Sequence, residues 1–221
     1  KMVDDKFSKG KKVVLSKDEE DARKEKAAAL KELAKSRISV LVGDAGTGKT
    51  SVLSILCSEP SIKAGGVLLL APTGKATVRL MESIGESGKT FSAMNVAQFL
   101  VRSKRFDWND MRYKLSDFNY RDVPETVIID ESSMLTEEMF GALMQALKSA
   151  KRIIFVGDPN QLPPIGAGRP FVDLVYLLKG NLLPNLFPKV CDSYGELTVN
   201  RRQETEIETE RMDVALSKLF T

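Results

Sequence analysis

The sequence contains no histidine. That absence excludes histidine-ligated zinc, Ser-His-Asp triads and Cys-His dyads. Cysteine is scarce: Cys57 and Cys191 are the whole complement, and an intracellular protein keeps such a pair as free thiols. No apolar run approaches the roughly 20 residues a membrane helix needs, so no membrane partner is expected. The opening stretch Lys1–Lys12 carries charge without an apolar centre, which excludes a secretory signal and favours the cytoplasm. Net charge is only +3, from 33 basic and 30 acidic residues, so any basic face must be local. Internal repeats and low-complexity tracts are also missing. Chemistry in this chain must rest on Lys, Arg, Asp, Glu, Gln and backbone amides.

Hydrophobic residues make up 43% of the 221, enough for the core of one α/β domain, or of one domain with an insertion. Apolar runs at Ile38–Val42, Val67–Ala71, Thr126–Asp130 and Arg152–Val156 read as buried strands. Helical patterns at 18–35, 49–57, 75–84 and 136–149 alternate with them, and shorter ones lie at 95–102 and 171–178. Such alternation predicts an α/β fold, a parallel sheet with helices on both faces. Residues 179–195 read as irregular, Leu197–Val199 as one more strand, and 206–220 as a charged amphipathic helix. Segment 102–122 has no clear period and mixes Arg105, Arg112 and Lys114 with Trp108, Tyr113 and Phe118; it reads as a small insertion, a hairpin.

Between the first strand and the next helix lies Gly43-Asp44-Ala45-Gly46-Thr47-Gly48-Lys49-Thr50. This is a complete G-x-x-x-x-G-K-[ST] phosphate loop in the strand-to-helix context that the motif requires. Gly43, Gly46 and Gly48 permit tight turns, so the N–H groups of this stretch, Ala45 and Thr47 included, can converge on phosphate at a helix N-terminus. Lys49 can neutralise β/γ-phosphate charge, and Thr50 can give its hydroxyl to Mg²⁺. The expected cofactors are therefore ATP and Mg²⁺.

Asp130 and Glu131 end a buried strand, at the edge where open α/β sheets bind ligands. Asp130 is placed to hold Mg²⁺ and Glu131 to polarise an attacking water; the alternative is that they cap the next helix. A third loop, Gly157-Asp158-Pro159-Asn160-Gln161-Leu162-Pro163-Pro164, follows another strand. Gln161 suits a γ-phosphate sensor, although a proline-stiffened turn accounts for the segment equally well.

Together these segments resemble superfamily 1 helicases, most closely the RecD-like branch. The matching pieces are Gly43–Thr50, Ala71-Pro72-Thr73-Gly74-Lys75-Ala76, Ile129-Asp130-Glu131-Ser132-Ser133-Met134, the loop from Gly157, and Leu197-Thr198-Val199-Asn200-Arg201-Arg202-Gln203. The resemblance runs from about Asp18 to Gln203. It implies a RecA-like P-loop motor domain at 18–203 with the small insertion at 102–122, an N-terminal arm at 1–17, and a helix or linker at 204–221. It implies ATP-driven movement on single-stranded DNA, 5′-to-3′, and a second RecA-like domain as partner, in a longer chain or another subunit. Thr73 and Lys75 would lie near the DNA backbone. Arg202, with Arg201 as the fallback, would touch the γ-phosphate. Arg105, Trp108 and Tyr113 would contact single-stranded DNA by charge and stacking, unless the aromatics are the insertion's own small core. The glutamine by which this family reads adenine is missing; Glu25-Lys26-Ala27-Ala28-Ala29-Leu30 stands near that register. A nucleotide-dependent switch without translocation, or an RNA motor of the same superfamily, are the alternatives.

Overall fold

Four apolar runs set the centre of the molecule in a computed structural model that describes residues 17–84, 91–114, 120 and 122–199. They form β1 (Ile38–Gly43), β2 (Val67–Ala71), β6 (Thr126–Ile129) and β7 (Arg152–Gly157). Three shorter strands complete the sheet: β3 (Ser92–Asn95), β8 (Val190–Cys191) and β9 (Tyr194–Leu197). The order is β3-β2-β6-β7-β1-β9-β8. Every neighbouring pair is parallel except β8 with β9. Val40 pairs with Phe155 on one side and Tyr194 on the other, so β1 is interior to the sheet.

Side chains alternate along each strand and feed two cores. On one face Val40, Leu70, Ile129 and Phe155 pack with Phe99, Leu143 and Phe171. These last three belong to α5 (Val96–Arg102), α6 (Glu137–Ala146) and α7 (Pro170–Lys179). On the other face Leu41, Leu69, Ile128 and Ile154 pack with Leu33, Leu53 and Leu80. Those come from α1 (Lys17–Lys35), α2 (Lys49–Ser58) and α4 (Gly74–Ile84). A short α3 (Pro60–Ala64) leads into β2. Each fully buried Leu, Ile or Phe contributes about 1.5–3 kcal/mol by leaving water.

The insertion is a two-stranded antiparallel hairpin of β4 (Phe106–Asp107) and β5 (Arg112–Tyr113), with Phe106 opposite Tyr113. Three details differ from the sequence reading. Ser92–Asn95 is a strand, and its last residue caps α5: the Asn95 side chain accepts from the Gln98 N–H at 2.8 Å, and the Gln98 side chain accepts from Asn95 N–H at 3.2 Å. The stretch 179–195 contains β8, and the last strand begins at Tyr194 rather than Leu197. Lys17 opens α1 instead of closing an arm. Residues 1–16 and 200–221, with Arg201, Arg202 and the expected terminal helix, lie outside the described residues, as does Phe118.

Candidate functional site

In a parallel sheet the loops that follow the strands leave from one edge, and that edge gathers the segments singled out from the sequence. The phosphate loop runs from β1 into α2. Gly48 is the N-cap of α2 with φ 90°, a left-handed conformation, and a Cβ there would lie 2.8 Å from Lys26 Nζ. The left-handed backbone is what requires glycine here; the Lys26 side chain could move aside for a Cβ. The Thr47 hydroxyl donates to Asp44 O at 2.9 Å and closes the turn. Lys49 donates to the carbonyls of Gly43 at 2.5 Å and Asp44 at 3.0 Å. Burial pushes its pKa down, while Asp158, Asp130, Glu131 and Asp44 pull it back up. One ammonium therefore stands in the field of four carboxylates drawn from three loops.

Asp130 directly follows β6. Burial raises its pKa to about 6; the adjacent Glu131 carboxylate adds to the rise, whereas the Glu131 N–H, donating to Asp130 Oδ1 at 2.9 Å, and Lys49 oppose it. Glu131 sits at φ 52°, ψ 39°, a left-handed conformation uncommon for a side chain of its size. It leads into a single helical turn at Ser132–Met134, where the Ser132 hydroxyl donates to Ile129 O at 2.7 Å. Asp158, after β7, is also raised in pKa by burial, with Asp44 adding to it. Its carboxylate accepts from Asn160 N–H at 2.9 Å and shapes the third loop. Ser133 donates to Gln161 Oε1 at 3.3 Å, tying the Asp130 loop to the Gln161 loop. A cavity of about 1510 Å³ opens beside this edge, bordered by Gly43, Asp44, Asp158, Gln161, Arg169 and Tyr194.

A partly desolvated carboxylate crowded by a second one fits a divalent cation. Among the described residues no three His, Cys, Asp or Glu side chains cluster as a metal cage. Mg²⁺ is bound through one or two protein oxygens beside phosphate and water. Thr50 and Asp130 are the residues that would hold it.

Thr73 and Lys75 are exposed where β2 hands over to α4, and Thr73 Oγ1 accepts from Ala76 N–H at 3.2 Å. In the insertion the three named residues separate. Trp108 is 57% exposed and meets Phe106 edge-on, with centroids 5.2 Å apart. Tyr113 packs on Phe106 at 4.9 Å and, with it, against the main core. Arg105 is 3% exposed, and its guanidinium donates to Ser103 O at 3.0 Å. Its charge is turned into the base of the insertion, away from the exposed face that Trp108 presents. Both cysteines are free thiols, and burial pushes Cys57 up to about 12.

Sequence reasoning missed Glu25 and Lys26 as parts of this region. Both are buried on the inner stripe of α1 with Ala22, Ala29 and Leu33. Charged residues on an otherwise apolar stripe were the available signal. Among the described residues no helix is long and apolar enough to cross a membrane.

Residues 21–182 match the AAA domain family. The ATP-dependent RecD2 DNA helicase of Deinococcus radiodurans is 30% identical over 68% of this chain and 19% of its own length. The RecBCD enzyme subunit RecD of Mycolicibacterium smegmatis is 30% identical over 78% of this chain and 33% of its own. This chain thus spans a third or less of these two relatives. Among solved structures, Bacteroides sp Pif1 in complex with ADP-AlF4 aligns with 91% of this chain and 45% of that one, at TM-score 0.51 and 17% identity, a likeness of fold. The chain belongs to the AAA domain family and, within it, to the RecD-like branch of superfamily 1 helicase motor domains.

Proposed function

We propose that this domain hydrolyses ATP with Mg²⁺ and couples the cycle to movement along single-stranded DNA in the 5′-to-3′ direction, in the cytoplasm. The observation that carries the reading is Lys49, held among Asp44, Asp130, Glu131 and Asp158 at the edge to which Gln161 is tied. The backbone N–H groups of Gly43–Thr50 and the N-terminus of α2 bind the phosphates, and Lys49 neutralises the β/γ charge. Thr50 and Asp130 hold the metal, which when bound supplies charge neutralisation to the transferring phosphoryl group. Glu131 orients the attacking water. Gln161 senses the γ-phosphate, and its bond to Ser133 passes the loss of that contact to the Asp130 loop. Arg202 contacts the γ-phosphate from the chain beyond β9. Thr73, Lys75 and Trp108 face the DNA track, Trp108 by stacking, while Tyr113, packed on Phe106, seats the hairpin that carries it. A second RecA-like domain completes the motor, so that release of the γ-phosphate moves one domain against the other.

The test is binding of a labelled non-hydrolysable ATP analogue with Mg²⁺, with and without single-stranded DNA, for wild type and Lys49→Ala. Wild type binds, Lys49→Ala loses binding, and DNA shifts the wild-type affinity. Nucleotide binding that DNA leaves unchanged supports a nucleotide switch instead. An equal or stronger shift with RNA of the same sequence and salt supports an RNA motor, since the 2′-OH is what differs.

A further inference from the structure

Two residues of α1 reach the phosphate loop from outside it. Glu25 lies in the middle of the helix with no exposed surface. Its Oε2 accepts from Thr198 N–H at 2.7 Å and from the Thr198 hydroxyl at 2.6 Å, and its Oε1 accepts from Val199 N–H at 3.3 Å. Three donors on one carboxylate hold this turn of α1 to the chain that leaves β9. Leu197, the last residue of β9, pairs in register with Gly43, where the phosphate loop begins. The turn is thus fixed relative to the loop, and its next residue is Lys26.

Lys26 is 3% exposed. A Cβ on Gly48 would stand 2.8 Å from its Nζ, 3.0 Å from its Cε and 3.9 Å from Ser51 Oγ, so the ammonium rests against the backbone of the loop's last glycine. Gly48 is the N-cap of α2, and the first turn of α2 holds no acidic residue. Lys49, which opens α2, already brings one ammonium to this end. A second cation beside the positive end of a helix dipole is unfavourable to the helix by itself and favourable to an anion placed there. Burial of the ammonium sharpens both effects, because little water screens it. A polyphosphate on the N–H groups of the loop therefore meets the helix end and two ammonium groups, all of one sign.

We infer that Lys26 is a second cation of the phosphate site, acting across the backbone of Gly48 on the α- and β-phosphates. The glycine-rich turn cradles those two groups, whereas the lysine of the motif, Lys49, reaches on to the γ-phosphate. Lys26 thus serves the diphosphate and the triphosphate alike. It is a positioning residue for the part they share and not a sensor of the part that differs. The inference rests on the nucleotide binding proposed for Gly43–Thr50.

The experiment measures, on the 221-residue chain with Mg²⁺, the affinities for ADP, for a non-hydrolysable ATP analogue and for inorganic pyrophosphate as a competitor. Lys26→Met, similar in length and uncharged, weakens all of them about tenfold, the scale of one charge at a partly buried helix end. Lys26→Arg keeps the charge and stays within about threefold of wild type. Lys26→Gln is also neutral, gives the same loss as Lys26→Met, and decides the matter if that variant fails to fold. Unchanged affinities in the neutral variant overturn the inference. An equal loss in Lys26→Arg also overturns it, because shape and not charge then matters. A loss confined to the ATP analogue does the same, since the γ-phosphate is then the group sensed. A loss that spares pyrophosphate overturns it by placing the effect at the nucleoside. Lys49→Ala separates the inference from the reading beneath it. If Lys49→Ala leaves nucleotide binding unchanged, the phosphate-loop assignment fails, and the role of Lys26 fails with it. If Lys49→Ala abolishes binding while the neutral Lys26 variant binds as wild type does, the role of Lys26 alone falls.

Discussion

At Asp130 the fold holds a carboxyl whose pKa rises from 3.8 to about 6 because burial and Glu131 both disfavour its charge. The folded protein therefore keeps this proton across a window in which the unfolded chain has released it. Stability from this group is greatest near the lower bound, declines as pH rises through the window, and is fully lost above about 6. Asp130→Asn, which still accepts the Glu131 N–H, escapes the penalty. Chemical denaturation at pH 7.5 without Mg²⁺ is expected to find the variant about 2–3 kcal/mol more stable than wild type, with the gap closing toward pH 4. The same variant is expected to lose Mg²⁺-dependent nucleotide binding, so the stabilising change is the inactivating one. Gly43–Thr50, Asp130 and Glu131 were legible in the sequence because each follows a strand that the apolar pattern marks. Glu25 was not, because its partner Thr198 is 173 residues away and no local pattern joins them.

Among the elements, the insertion hairpin divides its aromatics between two tasks. Phe106 and Tyr113 face the core, whereas Trp108 and Met111 are exposed at 57% and 65%. Trp108→Ala is expected to keep the melting temperature within a degree or two and to weaken single-stranded DNA binding by about 1–3 kcal/mol, read by fluorescence anisotropy. Tyr113→Ala is expected to lower stability by about 2 kcal/mol or more, since it strips an aromatic from a packed surface. The mixture of basic and aromatic residues in 102–122 signalled a hairpin but not which ring faces inward, because two-residue strands are too short to show alternation. Length also explains the missed elements. The interior strands β1, β2, β6 and β7 are continuous apolar runs and were found within a residue. β3 (Ser92–Asn95) is a short edge strand begun and ended by polar residues, and β8 (Val190–Cys191) is only two residues long, so no hydrophobic run announces either.

For the whole molecule, the proposed motor, split between two domains, would make turnover a property of the pair. This chain alone is expected to bind nucleotide and hydrolyse it slowly, with single-stranded DNA giving little stimulation in a phosphate-release assay. Strong DNA-stimulated turnover by the isolated 221 residues would contradict the need for a second domain. The two cores bear on how such a pair works. They share the same strands, alternate residues serving opposite faces, so a one-residue slip of any central strand would expose both faces at once. A sheet locked from both sides does not shear under load. In the proposed motor, movement that follows nucleotide release would then pass through the loops at the sheet edge and leave the body of the domain in place.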